Sequence, residues 1–172
     1  MYGWIKTEAQ FLNFLRSGMR RFWSKHPVKQ ALEREKRFKY LAPGDKQLTF
    51  HIECAHCGIP HKLKMIECNH KKPCTGDEPL SLSNFGVFCQ NLMVVTRDDL
   101  EMLCKKCHAI VTYSERSGMS MADAAIEKKV IKFGKLTATE QKAKLALVGI
   151  GQDAKNITQR KDAVRAYLKA RQ

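Results

Sequence analysis

The chain has 172 residues, with 31 Lys and Arg against 17 Asp and Glu, a formal net charge of +14. That length suits one domain with extensions, or one small domain plus a smaller one. No run reaches the ~18 uninterrupted apolar residues of a membrane span, and Met1-Tyr2-Gly3-Trp4 opens no apolar signal segment, so neither a membrane nor a secreted protein is expected and the location is read as cytoplasmic.

In chain order, Thr7 with Gln10 reads as a capping box opening a helix. Its apolar stripe is Phe11, Leu12, Leu15, Met19, Phe22 and Trp23, most of it expected to be core, with Arg16, Arg20, Arg21 and Lys25 on the other faces. His26-Pro27 ends it, because the residue before proline is pushed out of the helical region. A second helix, about Val28 to Phe38, is expected to hold a Glu33/Arg37 pair. Pro43-Gly44-Asp45 is a turn. One strand is expected over Leu48–Ile52 and a second from Leu63 to about Cys68. Residues 71–98 form a long excursion with a short helix within Phe85–Val95. A third strand over Leu100–Leu103 feeds a helix from about Cys107 to Glu115. Three helical segments follow, at about 120–132, 137–148 and 158–170.

The charge is unevenly spread. Residues 1–50 hold 11 basic against 4 acidic side chains, residues 51–117 hold 8 against 8, and residues 118–172 hold 12 against 5. Two basic arms thus flank a neutral centre, which favours a polyanion over an acidic membrane surface or a merely solvated face. The expected organisation is a basic helical arm over 1–46, a central core over 47–117 and a basic helical region over 118–172.

Two Cys-x-x-Cys knuckles, Cys54/Cys57 and Cys104/Cys107, have the spacing of a four-thiolate zinc site. Such a site has no open position, so its Zn2+ is structural. With pairs at metal spacing, seven cysteines indicate a reducing compartment rather than a disulfide framework. Cys68, Cys74 and Cys89 read as buried small side chains, and His51, His56 and His61 as exposed strand or turn residues. His70 and His108 remain. Phosphodiester hydrolysis needs a base for water and a cation for the developing charge, and an imidazole suits the first task.

In this order the motifs resemble the zinc-ribbon branch of the HNH endonucleases. The residues that carry the likeness are the two knuckles, Asn69-His70-Lys71-Lys72-Pro73, and Asp99-Leu100-Glu101-Met102-Leu103-Cys104-Lys105-Lys106-Cys107-His108. The basic, aromatic first helix is similar to that of phage-encoded members. The resemblance covers about residues 10–116. It implies an α+β fold with a ββα-metal core and a metal-dependent DNA endonuclease. His70 would be the general base, with Asn69 and His108 on a catalytic divalent ion, Mg2+ or another. Asn69 stands where the family has an acid, and Asp99 where it has an asparagine. Asp99 is therefore expected either to supply the missing charge at the catalytic site or to hydrogen-bond the loop, and a scaffold that binds DNA or regulates a host without cutting is the alternative.

DNA is the expected partner, through Arg16, Arg20, Arg21, Lys71, Lys72, Lys161, Arg165 and Lys169, in a monomer or homodimer. An RNA-binding ribbon is less favoured, since no aromatic stacking platform is apparent in the sequence. The last two helices are similar to a SAP-type DNA-binding hairpin, in Leu145-x-x-Val148-Gly149-Ile150 and Lys161-Asp162-Ala163-Val164-Arg165.

Overall fold

A computed structural model of the chain describes residues 3–76 and 78–171. Helices combine with two small antiparallel sheets, an α+β arrangement. By its internal contacts the chain divides into Met1–His108 and Ala109–Gln172, a boundary that cuts one helix just after His108.

The first unit opens with α1 (Glu8–Ser24) and α2 (Pro27–Lys36). The Thr7 hydroxyl accepts from the Gln10 amide at 3.2 Å, and the Gln10 side chain accepts from the Lys6 amide. Proline at the first position of α2 has the φ a helix start requires. Against the expectation that most of the apolar stripe is core, only Leu12 is buried outright and Phe22 is 67% exposed. The helix is too lightly covered to bury both edges of the stripe.

Strands β1 (Phe38–Tyr40), β2 (Thr49–Glu53) and β3 (Pro60–Lys62) form one sheet in that order. β1 was not foreseen. α2 stops at Lys36, Arg37 is already extended, and its guanidinium lies 4.8 Å over the Phe50 ring instead of pairing with Glu33. The second expected strand is also split. Leu63–Met65 is a 3-10 turn, after which β4 (Ile66–His70) pairs with β5 (Leu100–Cys104). The chain changes partner strand here, and the turn lets it cross from one sheet to the other. Between β4 and β5 lies α3 (Phe85–Met93), and α4 (Lys105–Ser117) follows β5 directly.

Leu32, Ile52, Leu100 and Met102 are the buried centre of this unit, with Trp23, Val28 and Cys68 packed on them. Burying such a side chain contributes roughly 1.5–3 kcal/mol, which is modest for a unit of this size and leaves room for a metal clamp.

The second unit contains α5 (Met121–Gly134), α6 (Ala138–Leu147) and α7 (Ile157–Lys169). Ser120, Thr137 and Asn156 cap them, Thr137 in a full capping box with Glu140. Ala124, Ile126, Val130, Phe133 and Leu145 are its apolar core. Gly151 has φ +62°, and a side chain there would meet Ala163 Cβ at 3.0 Å, so glycine is required both by backbone and by space. No helix among the described residues is long and apolar enough to cross a membrane.

Candidate active site and metal centre

The four knuckle cysteines converge. β2 delivers Cys54 into a tight turn in which the Gly58 amide donates to the Cys54 carbonyl at 2.9 Å, with Gly58 at φ +66°. Cys57 lies within that turn. β5 ends on Cys104, and the first turn of α4 brings Cys107 round beside it. The ligand atoms of Cys54, Cys57, Cys104 and Cys107 all lie within 4.8 Å of one another. Tetrahedral zinc at Zn–S of 2.3 Å holds its sulfurs about 3.8 Å apart, so this donor set can hold a metal ion such as zinc. The Cys104 amide donates to Cys54 Sγ at 3.3 Å and the Cys107 amide to Cys104 Sγ at 3.4 Å, the N–H···S pattern that stabilises thiolates. Burial opposes ionisation of Cys54, but amides of Cys104, Cys57 and His56 bring its pKa down to about 7. The Ala55 amide also donates to the Met102 carbonyl at 2.9 Å, locking the first knuckle to β5.

His70 ends β4. Its ring stacks on Trp23 of α1 with centroids 4.3 Å apart, and Nε2 lies 3.1 Å from the Leu92 carbonyl at the end of α3. A carbonyl only accepts, so Nε2 carries the proton and Nδ1 keeps its lone pair. Burial pushes the His70 pKa below its usual 6.5, the Leu92 bond opposing and the His26 charge reinforcing that shift. His26 is the companion residue. Its Nε2 donates to the next carbonyl, Met93 O, at 3.0 Å, its ring lies 5.1 Å from Trp23, and its buried Nδ1 has no hydrogen-bond partner. Two imidazoles flanking one indole thus cap the C-terminal carbonyls of α3, acceptors that a helix end leaves unsatisfied.

His70 lines a cleft of about 570 Å³ with Lys71, Lys72, Asn91, Asp98 and Asp99. Asp99 Oδ2 accepts from the Thr96 amide at 2.8 Å and the Thr96 hydroxyl at 2.7 Å, and the Asp99 carbonyl accepts from the Lys71 amide at 2.9 Å. These Thr96 bonds hold the Asp99 carboxyl below the usual carboxylate range. Asp99 therefore fastens the loop that returns the chain to β5.

His108 and Asn69 lie elsewhere. Strand side chains alternate, so Glu67 and Asn69 share one face of β4, with Glu101 and Leu103 opposite them, while Cys68 and His70 share the other. On the first face His108 Nδ1 lies 2.5 Å from Glu67 Oε2, and Asn69 Nδ2 donates to Glu101 Oε1 at 3.0 Å. His70 and Asp99 line one cleft, His108 and Asn69 belong to two separate pairs on the other face, and the two groups occupy opposite faces of the hairpin. Among the described residues the knuckle cysteines are the one set of three or more His, Cys, Asp or Glu positioned to share an ion.

Four residues of this neighbourhood were not singled out in the sequence for a role here: Trp23, His26, Glu67 and Glu101. Glu67 and Glu101 were within reach, because a β4/β5 register opposing Asn69 to Glu101 exposes the partnership. The contact of Trp23 and His26 with His70 joins segments far apart in sequence and left no signal. His51, expected to be exposed, is instead 2% exposed, its Nδ1 donating to the Thr49 carbonyl at 3.0 Å and Tyr40 meeting its ring edge-on. Cys68, Cys74 and Cys89 are half-buried.

Of the basic residues, Lys71 and Lys72 border the His70 cleft. Arg20 lines a second cleft of about 370 Å³ with Lys29, Glu33, Glu67, Cys68 and His108. Arg16 and Arg21 are exposed on α1. The row Lys161, Arg165 and Lys169 faces α5. Arg165 forks onto Glu127 and also meets Asp162, Lys169 Nζ lies 3.3 Å from Asp123, and the Lys161 stem passes Gly134 so closely that a Cβ there would lie 2.3 Å from it. Arg160, on the same helix, is buried and donates to Gln141 at 2.7 Å. Compared with known protein families, characterised proteins and solved structures, the chain has no match.

Proposed function

We propose that the protein is a zinc-stapled nuclease of the HNH type that hydrolyses DNA phosphodiester bonds, with His70 as general base. The observation that carries this reading is the state of His70: a neutral imidazole, its Nε2 proton committed to the Leu92 carbonyl, at the edge of a cleft bordered by Lys71 and Lys72. A water facing Nδ1 gives up its proton there as its oxygen bonds to phosphorus, while the P–O bond to the leaving nucleotide oxygen breaks and solvent protonates that oxygen. Trp23 and the Leu92 carbonyl keep the ring from turning, and the two lysines meet the negative phosphate.

The zinc fits its four thiolates and holds β5 and α4 against β2. The catalytic Mg2+ or other divalent ion implied by the resemblance fits less well. Asn69 and His108 are each engaged with a carboxylate, and as arranged these residues form two pairs rather than one donor set. Sharing an ion requires both pairs to open. That observation favours a second reading, in which the scaffold binds DNA and cuts weakly or not at all.

Supercoiled plasmid incubated with the zinc-loaded chain and Mg2+, Mn2+ or Ni2+ separates the two. Nicked or linear product is expected, lost in His70→Ala. Full activity in His70→Ala removes His70 from the role of base, and binding without cleavage under every metal selects the second reading.

A further inference from the structure

Three large aromatic side chains on the N-terminal arm face solvent: Trp4 at 66%, Phe14 at 55% and Phe22 at 67% exposed. Single exposed apolar residues need no explanation, but three aromatic rings on one short segment are more than scatter. At 100° per residue, Phe14, Gly18 and Phe22 lie on one side of α1, four residues apart. Gly18 leaves open space between the rings, since a Cβ there would meet nothing within 4 Å. Trp4 meets Phe14 edge-on at 5.1 Å, extending the row beyond the helix start. Arg21 and Lys25, both exposed, flank the same side. The other side of the helix is already used, by buried Leu12 and by Trp23 against His70.

We propose that this outward side of α1 is a stacking surface for unpaired bases, so that the substrate of the nuclease proposed above contains single-stranded DNA. Separated rings set among cations match a polyanion with a flat face on every base. Duplex DNA hides those faces and offers only phosphate. A second copy of the chain would bring Arg21 and Lys25 against their own equivalents across a twofold axis, which like charge disfavours. A membrane surface calls for a continuous apolar face, and the glycine gap and the two cations interrupt this one. Phe22 precedes Trp23, whose ring packs on His70 from the other side of the helix.

The substrate class rests on the nuclease reading, whereas the binding itself can be measured without cleavage. In the full, zinc-loaded His70→Ala chain, affinity for oligothymidine is compared with affinity for a blunt duplex of the same length. Removing both rings in Phe14→Ala/Phe22→Ala is expected to weaken oligothymidine binding by about tenfold per ring while leaving duplex binding within about twofold. Oligothymidine should also quench the fluorescence of the otherwise unaltered chain, and Trp4→Leu should abolish most of that quenching. Both substitutions fall on exposed side chains, and retained zinc and thermal midpoint confirm the fold. Equal losses for single strand and duplex overturn the proposal, as does no loss at all. So does a dimer that the double variant dissociates, or tighter binding to phosphatidylserine vesicles than to oligothymidine. Circular single-stranded DNA and supercoiled plasmid both left intact by every metal defeat the nuclease reading and leave this comparison standing.

Discussion

His70 is held uncharged by its surroundings. Burial against Trp23 lowers its pKa from 6.5, and the folded chain therefore binds its proton later than the unfolded chain does as pH falls. Between 6.5 and the lower folded value the unfolded state takes up a proton that the folded state refuses, so stability drops as pH falls through that window. The cleavage rate should follow the same group: flat above neutrality, with an acid limb whose midpoint lies below 6.5, read from a pH–rate profile. A midpoint at or above that value contradicts the assignment. Asn69 gives the second test at this scale. Asn69→Asp places a carboxylate where the amide now lies 3.0 Å from Glu101. In buffer free of Mg2+ and Mn2+ the variant should lose about 2 kcal/mol or more through like-charge repulsion at a buried position, and added divalent ion should restore it. A thermal midpoint indifferent to those ions means that residue 69 is no ligand.

The elements are arranged by a few cross-links rather than by a large core. A metal ion such as zinc shared by Cys54, Cys57, Cys104 and Cys107 would join β2, β5 and α4, and the Asp99 cap and the histidine pair at α3 fasten the long loop that lines the cleft. Stripping zinc should therefore unfold the first unit, since metal binding contributes on the order of 10 kcal/mol to such small sites. One zinc per chain by elemental analysis, and its loss together with the fold in Cys104→Ser, are the expected results. Most elements were legible in the sequence: the cap at Thr7, the break at His26-Pro27, the knuckles, and the helix leading out of the second knuckle. β1 and the split at Leu63–Met65 were not, because strand pairing across a turn depends on partners that local propensity does not name. The exposure of Phe22 was missed for a related reason. A periodic stripe says which residues can be buried together, but not how much of it the rest of the molecule covers.

Across the whole molecule, the +14 charge does not translate directly into phosphate contacts. In the second unit, Arg165 holds the Glu127 carboxyl below its usual range and is itself held charged. Arg165→Gln should thus cost roughly 1–3 kcal/mol of that unit's stability, by urea denaturation, while changing DNA affinity little; a large affinity loss with unchanged stability restores it as a DNA contact. The sequence by itself determined the four thiols at metal spacing, the basic arms and the candidate base, since each is written in residue type and short spacing. Only the tertiary structure decided which neighbours those residues meet. The β4/β5 register opposed Asn69 to Glu101, and two-residue alternation sent His70 and Asn69 to opposite faces. Packing of α1 then set Trp23 on His70 and left Phe14 and Phe22 in solvent, outcomes fixed by contacts between segments that the sequence keeps far apart.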